Sequence, residues 1–257
     1  MQFPTLPPAF LHAPLAHRGY HALADGRPEN SRAAFRAAVA AGYGIELDVQ
    51  VSRDGQAMVF HDEGLLRMTG VAGMVADRDA AELGGIGLLG GDEGIPTLPE
   101  VLALIAGRVP LLIEIKDRHE TLVATDGVAE AAVVRALEGY GGPVAVMSFN
   151  PASVAEIART APHLSRGITT DPFDPADWSS LPVATCDRLR GIPDYDAVGA
   201  SFVSHQARDL GSPRVAALRA QGAAVLCWTI RSAAAEMTAR QLADNVTFEG
   251  YPAAIPA

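Results

Sequence analysis

The chain has 257 residues, of which 49% are hydrophobic and 19% are charged, and its formal net charge at pH 7 is −10. A chain of this size can form one large α/β domain or two small ones, and we favour a single domain over residues 1–257 because no linker-like change in composition divides it. The acidic balance argues against a surface that binds nucleic acid or anionic membranes, since such surfaces need clustered Lys and Arg.

The start of the chain and its cysteines indicate the compartment. Residues 1–14 contain no basic region and no long apolar core, so we expect neither a secretory signal nor a membrane anchor. No run approaches the roughly 18 apolar residues of a transmembrane helix. Cys186 and Cys227 are too few and too far apart to predict a disulfide framework or a zinc site. We therefore expect a cytoplasmic protein without stable membrane insertion.

The first elements predict a βαβ unit. Pro14–Gly19 is a short apolar strand that ends in a basic pair and a glycine. Asn30 or Ser31 is placed to cap the helix that follows, and Gly42 is placed to end it. The next strand, Gly44–Asp48, completes the unit.

Two carboxylates share one face of this second strand. Because successive side chains of a strand alternate, Glu46 and Asp48 point the same way. Buried like charges repel and lose hydration, so the pair is tolerable chiefly if a cation lies between the carboxylates or one of them stays protonated. A bound metal is the simplest resolution.

The residues after this strand predict a β-hairpin. Asp54-Gly55 between alternating apolar residues is a strong hairpin signal. If the turn centres on these two residues, Asp48 lies opposite His61, and the hairpin brings a histidine back onto the carboxylates. The alternative is a surface hairpin whose charges face water.

The rest of the chain alternates helices and strands. We predict strands at Pro110–Lys116, Pro143–Phe149, Leu164–Thr169, Ala197–Val203, Ala223–Ile230 and Asp244–Glu249. We predict helices at Asp77–Leu83, Leu98–Ala106, Thr125–Glu138, Pro151–Thr160, Ala184–Leu189, Ser212–Gln221 and Ser232–Leu242.

Eight of the predicted strands can run parallel. The second hairpin strand, Ala57–His61, is excluded because a short turn cannot join parallel strands. Eight strands with intervening helices predict an α/β fold, a TIM (β/α)₈ barrel with the hairpin and a small glycine-rich insertion on its C-terminal face. Asp171–Asp196 interrupts the alternation of helices and strands. This segment is either a lid or substrate wall above the barrel, or a loop without a functional role. The rival fold is an open doubly wound sheet, for which we find no glycine-rich nucleotide fingerprint.

Chemically useful side chains collect at the C-terminal ends of the predicted strands, where barrel enzymes place catalysis. They are His17, Arg18, Glu46, Asp48, Glu114, Lys116, Ser148 and Trp228. The hairpin would place His61 over the same face.

Three of these side chains are candidate metal ligands. Glu46, Asp48 and Glu114 offer hard oxygen atoms, which suit Mg²⁺ or Ca²⁺ better than zinc or copper. A hard metal with open coordination positions implies an oxyanion substrate.

The remaining candidates suit a phosphodiester. Arg18 and Lys116 can hold phosphate oxygens, and His17 and His61 can act as a general acid and base near neutral pH. Phosphodiester cleavage is the natural inference.

The chain resembles the glycerophosphodiester phosphodiesterases over nearly its whole length. The matching motifs, in the family's order, are His17-Arg18-Gly19, Pro28-Glu29-Asn30, Glu46-x-Asp48-Val49, Asp54-Gly55, His61-Asp62, Glu114-Ile115-Lys116, Ser148-Phe149 and Trp228-Thr229. The resemblance implies a TIM barrel. It also implies that the carboxylates are metal ligands, that the two histidines are the acid–base pair, and that Arg18 and Lys116 bind the phosphate. It also implies that a glycerophosphodiester, such as glycerophosphocholine or glycerophosphoethanolamine, is cleaved to glycerol 3-phosphate and an alcohol, through attack by the neighbouring glycerol hydroxyl and hydrolysis of a cyclic phosphate.

Two segments depart from the family's pattern. The family usually ends its last strand in a Thr-Asp-Tyr-Pro-like run, whereas this chain has Glu249 in the sequence Val246–Pro252. The insertion between His61 and Glu114, which often forms substrate walls in the family, is short and glycine-rich here. The leaving alcohol is therefore not predicted.

Several alternatives stay open. The sphingomyelinase D-like and lysophospholipase D-like lipid phosphodiesterases resemble this family in their metal carboxylates and paired histidines, but they typically carry disulfides and are secreted, and this chain shows neither feature. A non-catalytic phosphate-binding barrel is a further possibility, disfavoured because every proposed catalytic group is present. Ser148 as a nucleophile is disfavoured because no Gly-x-Ser-x-Gly motif surrounds it. Glu29 is either a second-layer group near the metal or a first-turn helix acid, and Trp228 either stacks on the substrate alcohol or packs the barrel top. No partner is visible in the sequence for the remaining histidines: His12, His21, His119, His163 and His205. His205 follows a predicted barrel strand and either lines the barrel mouth or, as we favour, is a solvated loop histidine.

Overall fold

The computed structural model of the chain describes residues 4–118 and 121–256. Its strands are β1 (Leu15–Ala16), β2 (Gly44–Val51), β3 (Ala57–Val59), β4 (Leu111–Ile115), β5 (Val144–Ser148), β6 (Ser165–Thr170), β7 (Phe202–Gln206), β8 (Ala224–Ile230) and β9 (Asn245–Phe248). Its helices are α1 (Arg32–Ala41), α2 (Leu66–Thr69), α3 (Ala80–Gly84), α4 (Leu98–Ile105), α5 (Val128–Leu137), α6 (Pro151–Thr160), α7 (Val183–Arg190), α8 (Pro213–Ala220) and α9 (Ala233–Ala239). His119 lies outside the described residues.

The parallel strands close into a barrel. Their order is β1, β2, β4, β5, β6, β7, β8 and β9, and β9 pairs back with β1. β3 pairs with β2 in the antiparallel direction and lies outside the barrel. The TIM barrel prediction is confirmed, and the open doubly wound sheet is wrong.

The barrel interior changes character from one end to the other. Near the N-terminal ends of the strands it is filled by a small apolar cluster that includes Phe10, Leu112 and Phe202. Glu114 lies two residues beyond Leu112 on β4, so strand alternation directs both side chains inward. The upper part of the interior therefore holds charged groups, while the larger core lies between the barrel and its helices.

Local signals set several element boundaries. The Ser31 hydroxyl caps α1 by accepting a hydrogen bond from the N–H of Ala34 at 3.1 Å, so Ser31 rather than Asn30 is the cap. β7 begins at Phe202, later than predicted, because the preceding residues form a turn. Within that turn, the carbonyl of Val198 accepts a hydrogen bond from the buried Arg166 side chain at 2.7 Å.

The hairpin forms with a register that differs from the prediction by one residue. The N–H of Ser52 donates to the carbonyl of Gln56 at 3.0 Å, and Gly55 has a φ of 78°. The loop therefore has three residues and ends in a left-handed glycine, a common hairpin type with a bulge. Asp48 lies opposite Phe60, and the N–H of Phe60 donates to the backbone carbonyl of Asp48 at 3.1 Å. The predicted pairing of Asp48 with His61 was therefore wrong.

The Asp171–Asp196 excursion folds over the barrel mouth with a small core of its own. Phe173, Leu181, Cys186 and Leu189 are buried there and pack with Leu122. In the described part of the chain, no helix is long and apolar enough to cross a membrane.

Candidate active site

Three buried carboxylates meet inside the barrel. Glu46 and Asp48 project inward from β2, and Glu114 projects inward from β4, where it lies level with Asp48 in the parallel register. Their exposed fractions are 2%, 1% and 6%. Each offers an oxygen atom, and these oxygens all lie within 4.8 Å of one another. The spacing suits one shared cation, and the surface-hairpin alternative is wrong because these charges do not face water.

Two basic side chains offset part of this negative charge. Lys116 Nζ lies 2.8 Å from Asp48 Oδ1 and also bonds the carboxylate of Glu114. Arg18 Nε lies 3.4 Å from Asp48 Oδ2. Burial by itself would raise the pKa of Asp48, but Lys116, His61 and Arg18 outweigh it and hold that pKa below its usual range.

Glu46 is the least compensated carboxylate of the three. Its carboxylate accepts a hydrogen bond from the backbone N–H of Arg18 at 3.1 Å, and no ion pair to it is found among the described residues. Burial, followed by repulsion from Asp48 and Glu114, raises the pKa of Glu46 well above its ordinary value. The site therefore has a local deficit of positive charge around Glu46.

The loop after β1 positions Arg18. Arg18 adopts a left-handed backbone, with a φ of 56°, and Gly19 follows at 81°. A Cβ on Gly19 would come within 2.9 Å of Ala34 and Phe35, so the close packing of this loop on α1 requires glycine. The arginine side chain donates to Glu29 at 2.7 Å.

Glu29 and Asn30 are part of the site's support. Glu29 lies before the start of α1 and accepts hydrogen bonds from Arg18 and Arg67, so its interpretation as a first-turn helix acid was wrong. The Asn30 amide donates to Asp48 Oδ2 at 2.9 Å. The family motif Pro28-Glu29-Asn30 could have identified Asn30 as a site residue from the sequence. Asn30 was instead interpreted as a candidate helix cap.

His17 is held by a carboxylate from the far end of the chain. His17 Nδ1 lies 2.5 Å from Glu249 Oε2, and Arg231 donates to the other oxygen at 2.7 Å. Because a carboxylate only accepts, Nδ1 carries the proton in this pair and Nε2 is left for chemistry. Burial lowers the pKa of His17, against the opposing effect of Glu249. Hydrogen bonds from His17 and His21 hold the pKa of Glu249 far below its usual range.

His61 has the same arrangement. His61 Nδ1 lies 2.7 Å from Asp62 Oδ1, and Arg67 donates to both oxygens of Asp62 at 2.6 and 2.8 Å. Burial would raise the pKa of Asp62, but the hydrogen bonds from His61 and Arg67 lower it. Each candidate histidine is thus oriented by a carboxylate that an arginine fixes in place.

Two adjoining cavities open above these groups. The inner cavity has a volume of 160 Å³ and the outer one 610 Å³. Both are lined by His61, Glu114, Lys116, Phe149 and Trp228. All the candidate site residues of the sequence analysis line the inner cavity: His17, Arg18, Glu46, Asp48, His61, Glu114, Lys116 and Trp228.

Two other side chains differ from their predicted environments. The Ser148 hydroxyl donates to the carbonyl of Ile115 at 2.7 Å and accepts from the N–H of Asn150, which is a structural role. His205 lies on β7, is 2% exposed and bonds Thr170 and Asp209. The expectation that His205 is a solvated loop histidine was therefore wrong.

Comparisons with known proteins give a consistent family. Residues 17–247 match the model of the glycerophosphoryl diester phosphodiesterase family. A glycerophosphodiester phosphodiesterase of Caldanaerobacter subterraneus subsp. tengcongensis is 38% identical over 166 residues, which cover 60% of this chain and 65% of that protein. The chain thus spans just under two thirds of the length of that relative.

Solved structures share the fold. A phosphodiesterase of Oleispira antarctica in complex with the product sn-glycerol-3-phosphate has a TM-score of 0.77 and 24% identity, with 95% of each chain covered. A glycerophosphodiester phosphodiesterase of Thermotoga maritima has a TM-score of 0.70 and 23% identity, with 92% of this chain and 94% of that chain covered.

Proposed function

The chain belongs to the glycerophosphoryl diester phosphodiesterase family, and from that premise we propose that it hydrolyses glycerophosphodiesters to glycerol 3-phosphate and an alcohol. The reaction depends on a divalent metal and uses His17 and His61 as its acid–base pair. The residues 1–257 act as a single catalytic domain on a small-molecule substrate.

One observation carries this proposal. The buried carboxylates of Glu46, Asp48 and Glu114 line the same 160 Å³ cavity as two histidines whose Nδ1 atoms are each bonded to a carboxylate. A cation site, permanent positive charge and two oriented imidazoles are together sufficient to activate a hydroxyl, stabilise the phosphoryl charge and protonate the leaving alcohol.

The donor set fits a hard divalent cation. The three ligand candidates are all carboxylates, and Glu46 lacks a compensating ion pair among the described residues. We propose Mg²⁺, with Ca²⁺ as the alternative, because both prefer oxygen ligands. When bound, the metal would neutralise charge that develops on the phosphoryl oxygens.

The chain's own side chains would do the rest. Arg18 and Lys116 bind phosphate oxygens at the mouth of the inner cavity. One histidine Nε2 takes the proton of the neighbouring glycerol hydroxyl as its oxygen bonds to phosphorus, and the other gives a proton to the alcohol oxygen as the old P–O bond breaks. Water then opens the cyclic phosphate to glycerol 3-phosphate, with the two histidines in exchanged roles.

A cytoplasmic location is part of the same proposal. Cys186 and Cys227 are both buried free thiols, a state that a reducing compartment maintains.

The test is a substrate panel. Glycerol 3-phosphate release is measured from glycerophosphocholine, glycerophosphoethanolamine and glycerophosphoglycerol, first with EDTA and then with Mg²⁺, Ca²⁺ or Mn²⁺. Metal-dependent release supports the proposal. Choline release from sphingomyelin or lysophosphatidylcholine, with no glycerophosphodiester cleaved, would favour a lipid phosphodiesterase instead, and no turnover of any substrate by folded protein would favour a binding module.

A further inference from the structure

The outer cavity differs in character from the inner one. We propose that it binds the leaving alcohol and selects alcohols that carry a positive charge, such as ammonium and quaternary ammonium head groups. This inference rests on the proposed function, because it assigns the two ends of the phosphodiester to the two cavities.

The linings of the two cavities support this assignment. Arg18 and the carboxylates Glu46 and Asp48 line the inner cavity, so the phosphate lies there. The glycerol hydroxyl that attacks phosphorus must lie beside a histidine, and both His17 and His61 line this 160 Å³ inner cavity, so we place the glycerol there as well. We place the alcohol in the 610 Å³ outer cavity, which the inner one meets at Lys116 and His61. The lining of the outer cavity therefore decides which alcohol is accepted.

Aromatic rings form one wall of the outer cavity. The Phe149 ring centroid lies 5.2 Å from that of Trp178 and 5.6 Å from that of Trp228. Both indole N–H groups are already bonded within the protein, Trp178 to Asp171 at 2.9 Å and Trp228 to the carbonyl of Ser204 at 3.0 Å. The rings thus offer π surface rather than hydrogen bonds, which favours a cation over a neutral polyol.

Negative charge lies behind and beside this wall. Asp171 is 6% exposed and accepts hydrogen bonds from the Trp178 indole and from the N–H of Phe173. Asp117, which also lines the outer cavity, accepts hydrogen bonds from the N–H groups of Thr121 and Leu122 and from the Asn150 amide. Neither carboxylate forms an ion pair within residues 4–118 and 121–256. Burial raises the pKa of Asp171 because it disfavours the charged carboxylate, and a cation in the cavity would stabilise that charged form.

Positive charge is scarce in the same lining. Of the described residues that line the outer cavity, Lys116 is the single Lys or Arg, and it is already paired with Asp48 and Glu114. An anionic head group would find no free basic partner and would meet the carboxylates of Asp117 and Asp171. Aromatic faces backed by carboxylates are instead the setting in which ammonium groups bind.

Binding of free head groups tests this without turnover. The chain has two tryptophans, Trp178 and Trp228, and both line the outer cavity, so intrinsic fluorescence reports on it directly. The probes are choline and its neutral isostere 3,3-dimethylbutan-1-ol. We expect choline to saturate the fluorescence change at a concentration roughly fivefold or more below that of the isostere. Equal half-saturation by the two probes would overturn the proposal.

Variants assign the selectivity to the wall. Trp178→Leu and Asp171→Asn are expected to reduce the preference for choline over the isostere to less than twofold, whereas Trp178→Phe keeps a ring and keeps most of the preference. Asp187→Asn on α7 is the matched control, because Asp187 pairs with Arg190 outside the cavity. A preference unchanged in both Trp178→Leu and Asp171→Asn would overturn the proposal.

Turnover provides the second readout. With the metal-loaded enzyme we expect kcat/KM for glycerophosphocholine to exceed that for glycerophosphoglycerol by about tenfold, and this ratio to fall toward one in Trp178→Leu. Equal values for the unmodified chain would overturn the assignment of the alcohol to this cavity. Charge-selective fluorescence without cleavage of any glycerophosphodiester would instead overturn the proposed function and leave the cation selectivity of the cavity supported.

Discussion

Glu249 Oε2 lies 2.5 Å from His17 Nδ1, although the two residues are separated by 232 positions in the chain. The barrel closes through pairing of β1 with β9, and this closure brings the residue after β9 against the residue after β1. Arg231 fixes the other oxygen of Glu249. The carboxylate that follows the last strand therefore orients His17.

The first prediction concerns this pair. In Glu249→Gln the amide can present its NH₂ group to Nδ1 and disfavour the tautomer whose Nε2 accepts a proton. We expect kcat to fall roughly 10- to 100-fold with KM nearly unchanged, and Glu249→Asp to recover part of kcat. Steady-state kinetics with glycerophosphocholine measure both constants, with the exposed Glu138→Gln as control. A rise in KM at constant kcat would contradict a positioning role.

The second prediction concerns the two histidines. His17→Ala and His61→Ala should each lower kcat by roughly 100-fold or more, because each removes one proton transfer, while metal affinity stays within about twofold. Calorimetric metal titration and turnover are measured on the same preparations. His163→Ala is the control, since His163 is exposed and distant in sequence from the site residues. Full activity in His61→Ala would exclude the hairpin histidine from catalysis.

The third prediction concerns the least compensated carboxylate. Glu46→Gln removes charge repulsion from Asp48 and Glu114, so the metal-free variant should be at least as stable as the unmodified chain. The same change removes a candidate ligand, so the rise in melting temperature on adding Mg²⁺ or Ca²⁺ should be largely lost. Thermal unfolding measured with EDTA checks the stability of the metal-free variant, and thermal unfolding measured with each metal checks the loss of the metal-induced rise. A full metal-induced rise in Glu46→Gln would contradict its role as a ligand.

The fourth prediction is a pH dependence of stability. Burial lowers the pKa of His205 below the ordinary 6.5, so the folded chain prefers the neutral imidazole, and the unfolded chain binds more protons as the pH falls below about 6.5. The stabilisation that neutral His205 provides is fully present above pH 6.5, and it is lost as the pH falls through the pKa of His205 in the folded chain. The difference in free energy of unfolding between the unmodified chain and His205→Gln should therefore shrink from pH 8 to pH 5.5 in urea titrations.

A control isolates that effect from other titrating groups. His163→Gln changes an exposed histidine and should show no such pH-dependent difference. A pH-independent difference for His205→Gln would contradict neutral burial of His205.

The carboxylate face of β2 could be predicted from sequence because strand alternation is a local rule. Glu46 and Asp48 are two residues apart on one strand, and alternation places them on one face whatever the rest of the chain does. Glu114 on β4 and Lys116 just after it repeat the spacing, and a barrel of eight parallel strands brings such strand ends to one mouth. These relations needed only short segments and the count of strands.

The hairpin register could not be predicted because it depends on the turn. Asp54-Gly55 fits a two-residue turn and also a three-residue loop with Gly55 left-handed, and these differ by one residue in register. The hydrogen bond of Ser52 with Gln56 selects the longer loop.

Contacts between residues distant in sequence also could not be predicted. The bond of Glu249 to His17 depends on barrel closure. The bond of Arg67 to Glu29 depends on the position of the short helix α2, which no strong periodic pattern signals. His205 was misassigned because β7 begins and ends later than its apolar run indicates.

The most direct test of the proposed function is a ³¹P NMR time course of glycerophosphocholine with the metal-loaded protein. The proposed chemistry predicts that the diester resonance is replaced by that of glycerol 3-phosphate, and that EDTA stops the conversion. Formation of phosphocholine and glycerol, which requires cleavage of the other P–O bond, or no conversion by folded and metal-loaded protein, would contradict it.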